Sequence, residues 1–393
     1  MSRSFDIVIG GGAVMGSSIA YHLAAHPGFS GRILVVDKDM TYQRSASALS
    51  LSSIRQQFST AINIKVGLYG VAFLRKAHET LAADGVGPEL SFRENGYLYL
   101  ASDKGAKVLA ENHVVQSAEG ADIVLLEPAS LAERFPFLNL DGVALGAWGR
   151  KNEGWFDGYT LMQAFRRKAK SLGAEYREAA IVELERDGER VVAARLSTGE
   201  RVACGAFVNA AGASGATGLA EMLGVAIPVR RRKRSVFVFA AKERLADCPL
   251  IIDTTGVYVR PEGENYVCGV SPPEEDDPDS DDFDVVWRHF DDVIWPALAA
   301  RIPAFEAIRP GRAWACHYDL NIFDHNAIVG RLGGLTNAYL AAGFSGHGMQ
   351  QSPAIGRGLA ELIVEGRYAT LDLSPFAFER IAANRPLLER NVI

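Results

Sequence analysis

The stretch FDIVIGGGAVMGSSIAYHLAAHPGFSGRILVVD, residues 5–37, governs how the rest of the chain is read. It opens on an apolar run, Phe5 to Ile9, and passes through the cluster Gly10, Gly11, Gly12, Ala13, Val14, Met15 and Gly16. An amphipathic segment follows, and then a second apolar run, Arg32 to Val36. That succession predicts a βαβ unit, whose parallel strands need a helical crossover. Glycines at the strand-to-helix turn let the backbone come close to a ligand, and a helix N-terminus favours a pyrophosphate. The register falls on Gly11, Ala13 and Gly16, so alanine stands where a middle glycine is usual; its methyl group pushes the phosphates outward or is absorbed by Gly12. Asp37 ends the second strand where an acidic residue bonds a ribose hydroxyl, and Lys38 follows it. The combination points to an adenine dinucleotide and does not separate FAD from NAD.

Working outward, residues 42–59 form a polar, serine-rich loop that includes Ser47 and Ser53, and Ile62 to Leu81 predicts a long helix. From Leu90 to Trp148 short strands such as Tyr97 to Ala101 mix with helical segments, Lys104 to Gln116 and Pro128 to Phe135. A helix over Tyr159 to Leu172 leads to an apolar strand ending in Asn209, Ala210, Ala211 and Gly212. Strands then fill Val236 to Val270, an acidic loop covers Pro272 to Asp284, and a helix is expected over Val285 to Ala299. Strands near Ala313 to Tyr318, Ala327 to Val329 and Ala338 to Ala342 precede a glycine-rich turn and a final helix, Pro353 to Glu365. The pattern predicts an α/β protein of two interleaved domains. A Rossmann-like nucleotide domain is expected from residues 1–85, 150–222 and 325–393, and a second domain from 86–149 and 223–324.

Composition narrows the function. A chain of 393 residues with 48% hydrophobic and 22% charged content has a composition ordinary for an α/β enzyme, which excludes a disordered or fibrous class. Its formal charge of −6 argues against nucleic acid as a partner. The basic run Arg230, Arg231, Arg232, Lys233 and Arg234 reads as a solvated strand end rather than a nucleic-acid patch, with a positive rim attracting an anionic substrate as a third reading, and the acidic loop reads as solvated. Four scattered cysteines, Cys204, Cys248, Cys268 and Cys316, form no C-x-x-C pair, which predicts neither a metal site nor disulfides. The N-terminus enters a strand at once, leaving no room for a leader, and no apolar run reaches the length of a membrane span. A cytoplasmic protein is expected.

The run Ala341, Ala342, Gly343, Phe344, Ser345, Gly346, His347, Gly348 resembles the hallmark of the D-amino-acid oxidase-type flavoproteins, above all the glycine and sarcosine oxidase branch. The similarity extends to Gly11–Gly16, Asp37, Ser53–Phe58, Gly154–Asp157, Val208–Gly212 and Trp314–Tyr318. The resemblance implies one FAD per chain, an FAD domain interleaved with a mixed-sheet α+β substrate domain, and cofactor contacts from Ser47, Ser53, Ile54, Arg55, Gln56, Ala210, Ala211, Gly212, Gly343 through Met349, and Cys316. Residues Ile54 to Phe58 resemble the loop beneath the flavin, which would bring Arg55 to its edge. Cys316 aligns with a position that forms a thioether to FAD in monomeric sarcosine oxidases and is often Gly in relatives; a tight site without a bond is favoured. Gln350 replaces a substrate-binding Lys, and Asn265 to Val270 lacks the Lys that promotes oxygen reduction. These departures bring the chain closer to a branch that includes a mitochondrial complex I assembly flavoprotein and bacterial oxidases of N-substituted amino acids.

The activity so implied is oxidation of the C–N bond of an amino acid or N-substituted glycine, including sarcosine- or iminodiacetate-like amines, by hydride transfer to flavin N5, with O2 or another acceptor taking the electrons. Candidate substrate groups are Arg55 (or Arg232 or Arg260), Tyr258, Tyr318, Gln350, His347 and His317. The alternatives are an FAD-binding assembly protein with little turnover and a D-amino-acid dehydrogenase.

Overall fold

The structure, a computed structural model, describes residues 3–391. The chain begins β1 (Arg3–Gly10), α1 (Val14–Ala24), β2 (Ile33–Asp37), α2 (Ala46–Leu49), β3 (Ser53–Ile54) and α3 (Ala61–Thr80). It continues β4 (Tyr97–Ala101), α4 (Asp103–Ala118), β5 (Ile123–Leu126), α5 (Pro128–Arg134), β6 (Leu145–Gly149), β7 (Gly154–Trp155) and α6 (Gly158–Ser171). Next come β8 (Glu175–Glu178), β9 (Ile181–Asp187), β10 (Arg190–Leu196), β11 (Arg201–Asn209), α7 (Ala216–Met222) and β12 (Val229–Ala240). The last part holds β13 (Leu250–Ile252), β14 (Tyr258–Glu262), β15 (Asn265–Gly269), α8 (Trp295–Arg301), β16 (Arg309–Asn321), β17 (Ile328–Arg331), β18 (Ala338–Ala342), α9 (Gly348–Glu365) and α10 (Glu379–Ala382).

Two eight-stranded sheets organise these elements. The first runs β17-β18-β11-β1-β2-β8, with β9 and β10 joined to it through β11. Its centre is parallel: β1 pairs with both β11 and β2, and β18 with β11. Both faces are therefore covered, and the side chains of β1 alternate between two cores. Ile7 and Ile9 join Ile19, Phe165 and Ile355 on the side of α1, α6 and α9, while Phe5 and Val8 join Phe207, Leu219 and Leu340 on the other. The second sheet, β16-β12-β15-β14-β13-β4-β6-β5, is antiparallel except where β13 meets β4. Its strands come from 97–149 and 229–321. Among the described residues no helix is long and apolar enough to cross a membrane.

Three local expectations change. The last helix starts at Gly348 rather than Pro353, so the proline lies inside it. Proline cannot donate to the carbonyl four residues back, and the Ser352 hydroxyl bonds that Met349 carbonyl instead, at 2.9 Å. The helix expected over Val285–Ala299 is displaced and divided, a π-helical turn at Phe290–Ile294 leading into α8 with Pro296 in its first turn. The serine-rich loop contains α2, whose Ser45 hydroxyl caps the Ala48 amide at 3.1 Å.

Candidate functional site: a cavity between two sheets

Where β1, β2, β11 and β18 of the first sheet end, their turns open onto a cavity of about 590 Å³ that continues beneath the second sheet. Carboxyl ends of parallel strands are the usual ligand position in such sheets. At the β1–α1 turn the wall is main chain. Gly11 has a φ of +98°, and a Cβ there would lie 2.4 Å from the Ala210 carbonyl oxygen; a Cβ on Gly16 would lie 1.8 Å from that of Gly11. The turn is thus folded tightly against the end of β11, with the start of α1 turned to the cavity. Ala13 lines the wall with Val14 and Met15, so its methyl group is part of the surface a ligand meets. Asp37 lies at the β2 end with one oxygen accepting from the Gly12 amide at 2.7 Å, and burial raises its pKa. A smaller cavity of about 210 Å³ shares Gly11, Asp37, Lys38, Ala211 and Ser214 with the larger one and adds Gly10, Ile181 and Leu219. A long cleft with a glycine-bounded middle and an acidic group at its adenosine side suits FAD. The His317 Nε2, buried in the cavity wall with no protein partner, adds a polar group left over for a ligand.

Under the second sheet the wall is side chain. Arg55 follows β3 and is 1% exposed. Its guanidinium donates to the Gln57 carbonyl, to the Asn391 carbonyl at 2.5 Å and to His347 Nε2 at 3.1 Å, and lies 4.1 Å from the centre of the Phe58 ring. Because arginine only donates, Nε2 of His347 accepts and its proton sits on Nδ1. Burial, then the Arg55 charge, holds the His347 pKa well below the usual imidazole value, so the ring is neutral. Among the described residues no carboxylate lies within 4.0 Å of Arg55. All three acceptors are uncharged, so no ion pair matches the buried guanidinium, and its charge is felt only through space by Glu153, whose pKa it lowers.

The loop carrying Arg55 is pinned from below. Glu153, fully buried, accepts from the Gln56 amide at 2.5 Å, the Gln57 amide at 3.1 Å and the Gln57 side chain at 2.8 Å. Burial raises its pKa to about 7 against the pull of those bonds. From the other side, Gln350 Oε1 accepts from the Arg55 amide at 2.9 Å. Glu389 takes the Ser59 amide and hydroxyl, each at 2.7 Å, and so brings Asn391 to Arg55.

At the mouth, the basic run does not form a free rim. Arg234 makes a buried two-point pair with Asp277 at 2.7 and 2.8 Å, Lys233 meets Asp282 at 2.5 Å, Arg231 meets Asp281, and Arg232 meets Asp279 at 3.6 Å. The acidic loop therefore straps the basic strand, which corrects the positive-rim reading; Arg234 and Asp277 are buried, while Arg230, Asp279, Asp281 and Asp282 stay exposed as the solvated readings expected. Phe283 of that strap packs edge-on to His317 at 4.4 Å and lies 5.5 Å from the Arg44 guanidinium.

Of the residues singled out from the sequence, Gly11, Ala13, Val14, Met15, Asp37, Lys38, Ser47, Ser53, Arg55, Ala210, Ala211, Gly212, Tyr258, Cys316, His317, Tyr318, Phe344 through Gly348, Met349 and Gln350 line the large cavity. Gly10 lines the smaller one, while Gly12, Gly16 and Gly343 shape the turns behind the wall. Ile54 packs in the core of the first sheet, and Gln56 lies behind the wall with its amide on Glu153. Arg232 and Arg260 do not line the cavity; Arg260 is spent on Glu262 and on the Pro261 and Leu51 carbonyls. Sequence reading missed Glu153, Asn391, Asp319 and Phe283. For Glu153 a signal existed: a carboxylate directly before the Gly154–Asp157 run, whose strand β7 pairs with β3.

Comparison with known proteins agrees with this geometry. The model of the family described as FAD dependent oxidoreductase matches residues 6–362, and the chain belongs to that family. FAD is its cofactor and redox chemistry its class of activity. A relative from Xenopus laevis, FAD-dependent oxidoreductase domain-containing protein 1, is 41% identical across 99% of this chain and 85% of its own length. The 4-methylaminobutanoate oxidase (formaldehyde-forming) of Paenarthrobacter nicotinovorans is 27% identical across 92% of this chain and 43% of its own length. Among solved structures, L-proline dehydrogenase from P. horikoshii superposes with a TM-score of 0.86 at 25% identity, covering 98% of this chain and 100% of that one. Glycine oxidase from Geobacillus kaustophilus gives 0.81 at 21% identity, covering 96% and 98%, and shares the fold.

Proposed function

We propose that the chain oxidises the carbon next to the nitrogen of an amino acid or N-substituted glycine, with the cavity beneath the second sheet as its active site. One observation carries this reading: a buried Arg55 on the cavity wall that no carboxylate neutralises. Five guanidinium N–H groups meet three protein acceptors, so donors remain for a ligand carboxylate. The proline dehydrogenase, glycine oxidase and 4-methylaminobutanoate oxidase named above all act on amines that carry a carboxylate.

The residues divide the work. Arg55 takes the carboxylate, and Glu153, Gln350 and Asn391 hold Arg55 in place. Burial pushes the Tyr318 phenol up to about 12 and the Tyr258 phenol upward as well, so both keep their protons and orient the amine by hydrogen bonding. Val236, Leu250, Ile252 and Met349 line the same cavity and keep water from it, which favours the neutral amine whose lone pair is needed. His317, its pKa lowered first by burial and then by Arg231, stays neutral and offers Nε2 to a departing proton. Bound FAD supplies the two-electron, hydride-accepting centre. The product imine hydrolyses in water.

The test is anaerobic reduction of the purified holoprotein by glycine, D-amino acids, sarcosine and iminodiacetate. Bleaching of the flavin by an N-alkyl monocarboxylate is expected. If no member of the panel bleaches it, the assembly-protein reading takes its place.

A further inference from the structure

Asp319 sits near the end of β16, where the second sheet meets the turn after β18. One carboxylate oxygen accepts from the Gly343 amide at 2.9 Å and the Phe344 amide at 3.2 Å, while the Asp319 carbonyl accepts from the Ser345 amide at 3.1 Å. Asp319 is 8% exposed and lines the cavity wall. Among the described residues no arginine, lysine or histidine nitrogen lies within 4.0 Å of it. Arg231, its partner across β12, turns its guanidinium to the Ala213 carbonyl and to Asp281. His317 and Tyr318 on its own strand, His347 on the turn and Arg55 on the loop share the cavity wall, and none forms an ion pair with it. Two uncharged amides are its side-chain partners.

We infer that the charge of Asp319 sets the reduction potential of the bound flavin. The inference rests on the flavin being seated in this cavity. Two electrons and one proton delivered to the flavin, from the amine in turnover or from a chemical reductant in a titration, add one unit of negative charge to the cavity. In a site of low dielectric a fixed carboxylate opposes that charge, and a protonated carboxyl does not. Ionised Asp319 therefore lowers the potential, and protonation raises it. Burial moves this carboxyl up to about 6, against the two amide bonds, which puts the change within working range. Lower pH favours electron uptake from the amine, and higher pH favours release to the acceptor.

The experiment is stepwise anaerobic reduction of the holoprotein against indicator dyes, for the wild type, Asp319→Asn and Asp319→Glu. The expected result is a higher potential in Asp319→Asn at about pH 8, an equal one at about pH 5, and a value near wild type in Asp319→Glu at both. Equal potentials throughout, or an offset independent of pH, overturn the proposal, because a merely structural stitch shifts both conditions alike. Should Asp319→Asn fail to hold FAD, the wild type decides. Its potential must fall more steeply with pH around 6 than on either side, and a uniform slope refutes the idea. Purified protein without any flavin would instead sink the site assignment itself.

Discussion

At the β1–α1 turn the cavity is walled by main chain, fixed by Gly11 and Gly16, where an added Cβ meets backbone, whereas beneath the second sheet it is walled by Arg55, Asp319 and His347, with Glu153 buried behind the wall. The first region is local in sequence, spanning Gly10 to Asp37, and its shape follows from backbone geometry. The second draws on residues near 55, 153, 319, 347 and 391, and its properties follow from electrostatics in a dry space. A generic cofactor needs only a backbone cradle, and a particular substrate needs placed charges. Substitutions should therefore fail in different ways at the two ends.

The largest effect is expected at Gly16. In Gly16→Ala the added carbon meets the Gly11 carbonyl, and turn or helix must move by more than an ångström. Such overpacking costs about 3 kcal/mol, which is roughly a hundredfold in flavin affinity. Flavin absorbance per protein, measured after dialysis, should fall by about nine-tenths or more while the fold survives. Full retention of flavin would show that the turn is more yielding than its packing implies.

Arg55→Met comes next and should reverse the pattern. Flavin stays bound, and affinity for a carboxylate ligand, followed by the perturbed flavin spectrum, weakens by roughly 100-fold, ~3 kcal/mol. If ligand affinity and flavin content fall together, Arg55 belongs to the cofactor cradle, and the division between the two ends dissolves.

Glu153 tests the second region through stability. Its folded pKa is raised to about 7 from an ordinary value of 4.5, so the folded state holds the proton more tightly than the unfolded chain. Stability from this group is complete below about pH 4.5 and declines as pH rises to about 7, by on the order of 3 kcal/mol. Glu153→Gln cannot titrate. The difference in Tm between variant and wild type should therefore move in the variant's favour across that window and level off above it. A flat difference would mean that the three N–H bonds, not burial, dominate.

The same contrast explains what was legible in the sequence. The βαβ unit was readable because strand, turn, helix and terminal Asp37 lie within one short stretch and each leaves a compositional mark. The glycine-rich turn at 343–348 was readable by resemblance, although Pro353 misplaced the helix that follows. The strap was not readable: Arg231–Arg234 and Asp277–Asp282 each look like a solvated charge run, and only the pairing of β12 with the loop bridge at Asp279 joins them. Nor did any periodicity show that Glu389 would carry residues at the far end of the chain back to Arg55. Charges placed by long-range packing carry no local signature.

Cys316 offers the smallest expected change and lies where the two regions meet. It faces the cavity from β16, opposite Arg234 on β12. A thioether to FAD requires the thiolate as nucleophile. Burial pushes this thiol up to about 12, and the nearby Arg234 charge, already matched by Asp277, lowers it too little to offset that. Cys316 is therefore expected to stay a small apolar residue in a tight wall, without a bond to FAD. Acid precipitation of the wild type should leave the flavin in the supernatant, and Cys316→Ser should bind the same amount of FAD with an unchanged spectrum. Yellow colour retained in the wild-type pellet and lost in Cys316→Ser would show that bound flavin reshapes the charge environment of this strand, and the two ends of the cavity would then have to be treated as one coupled site.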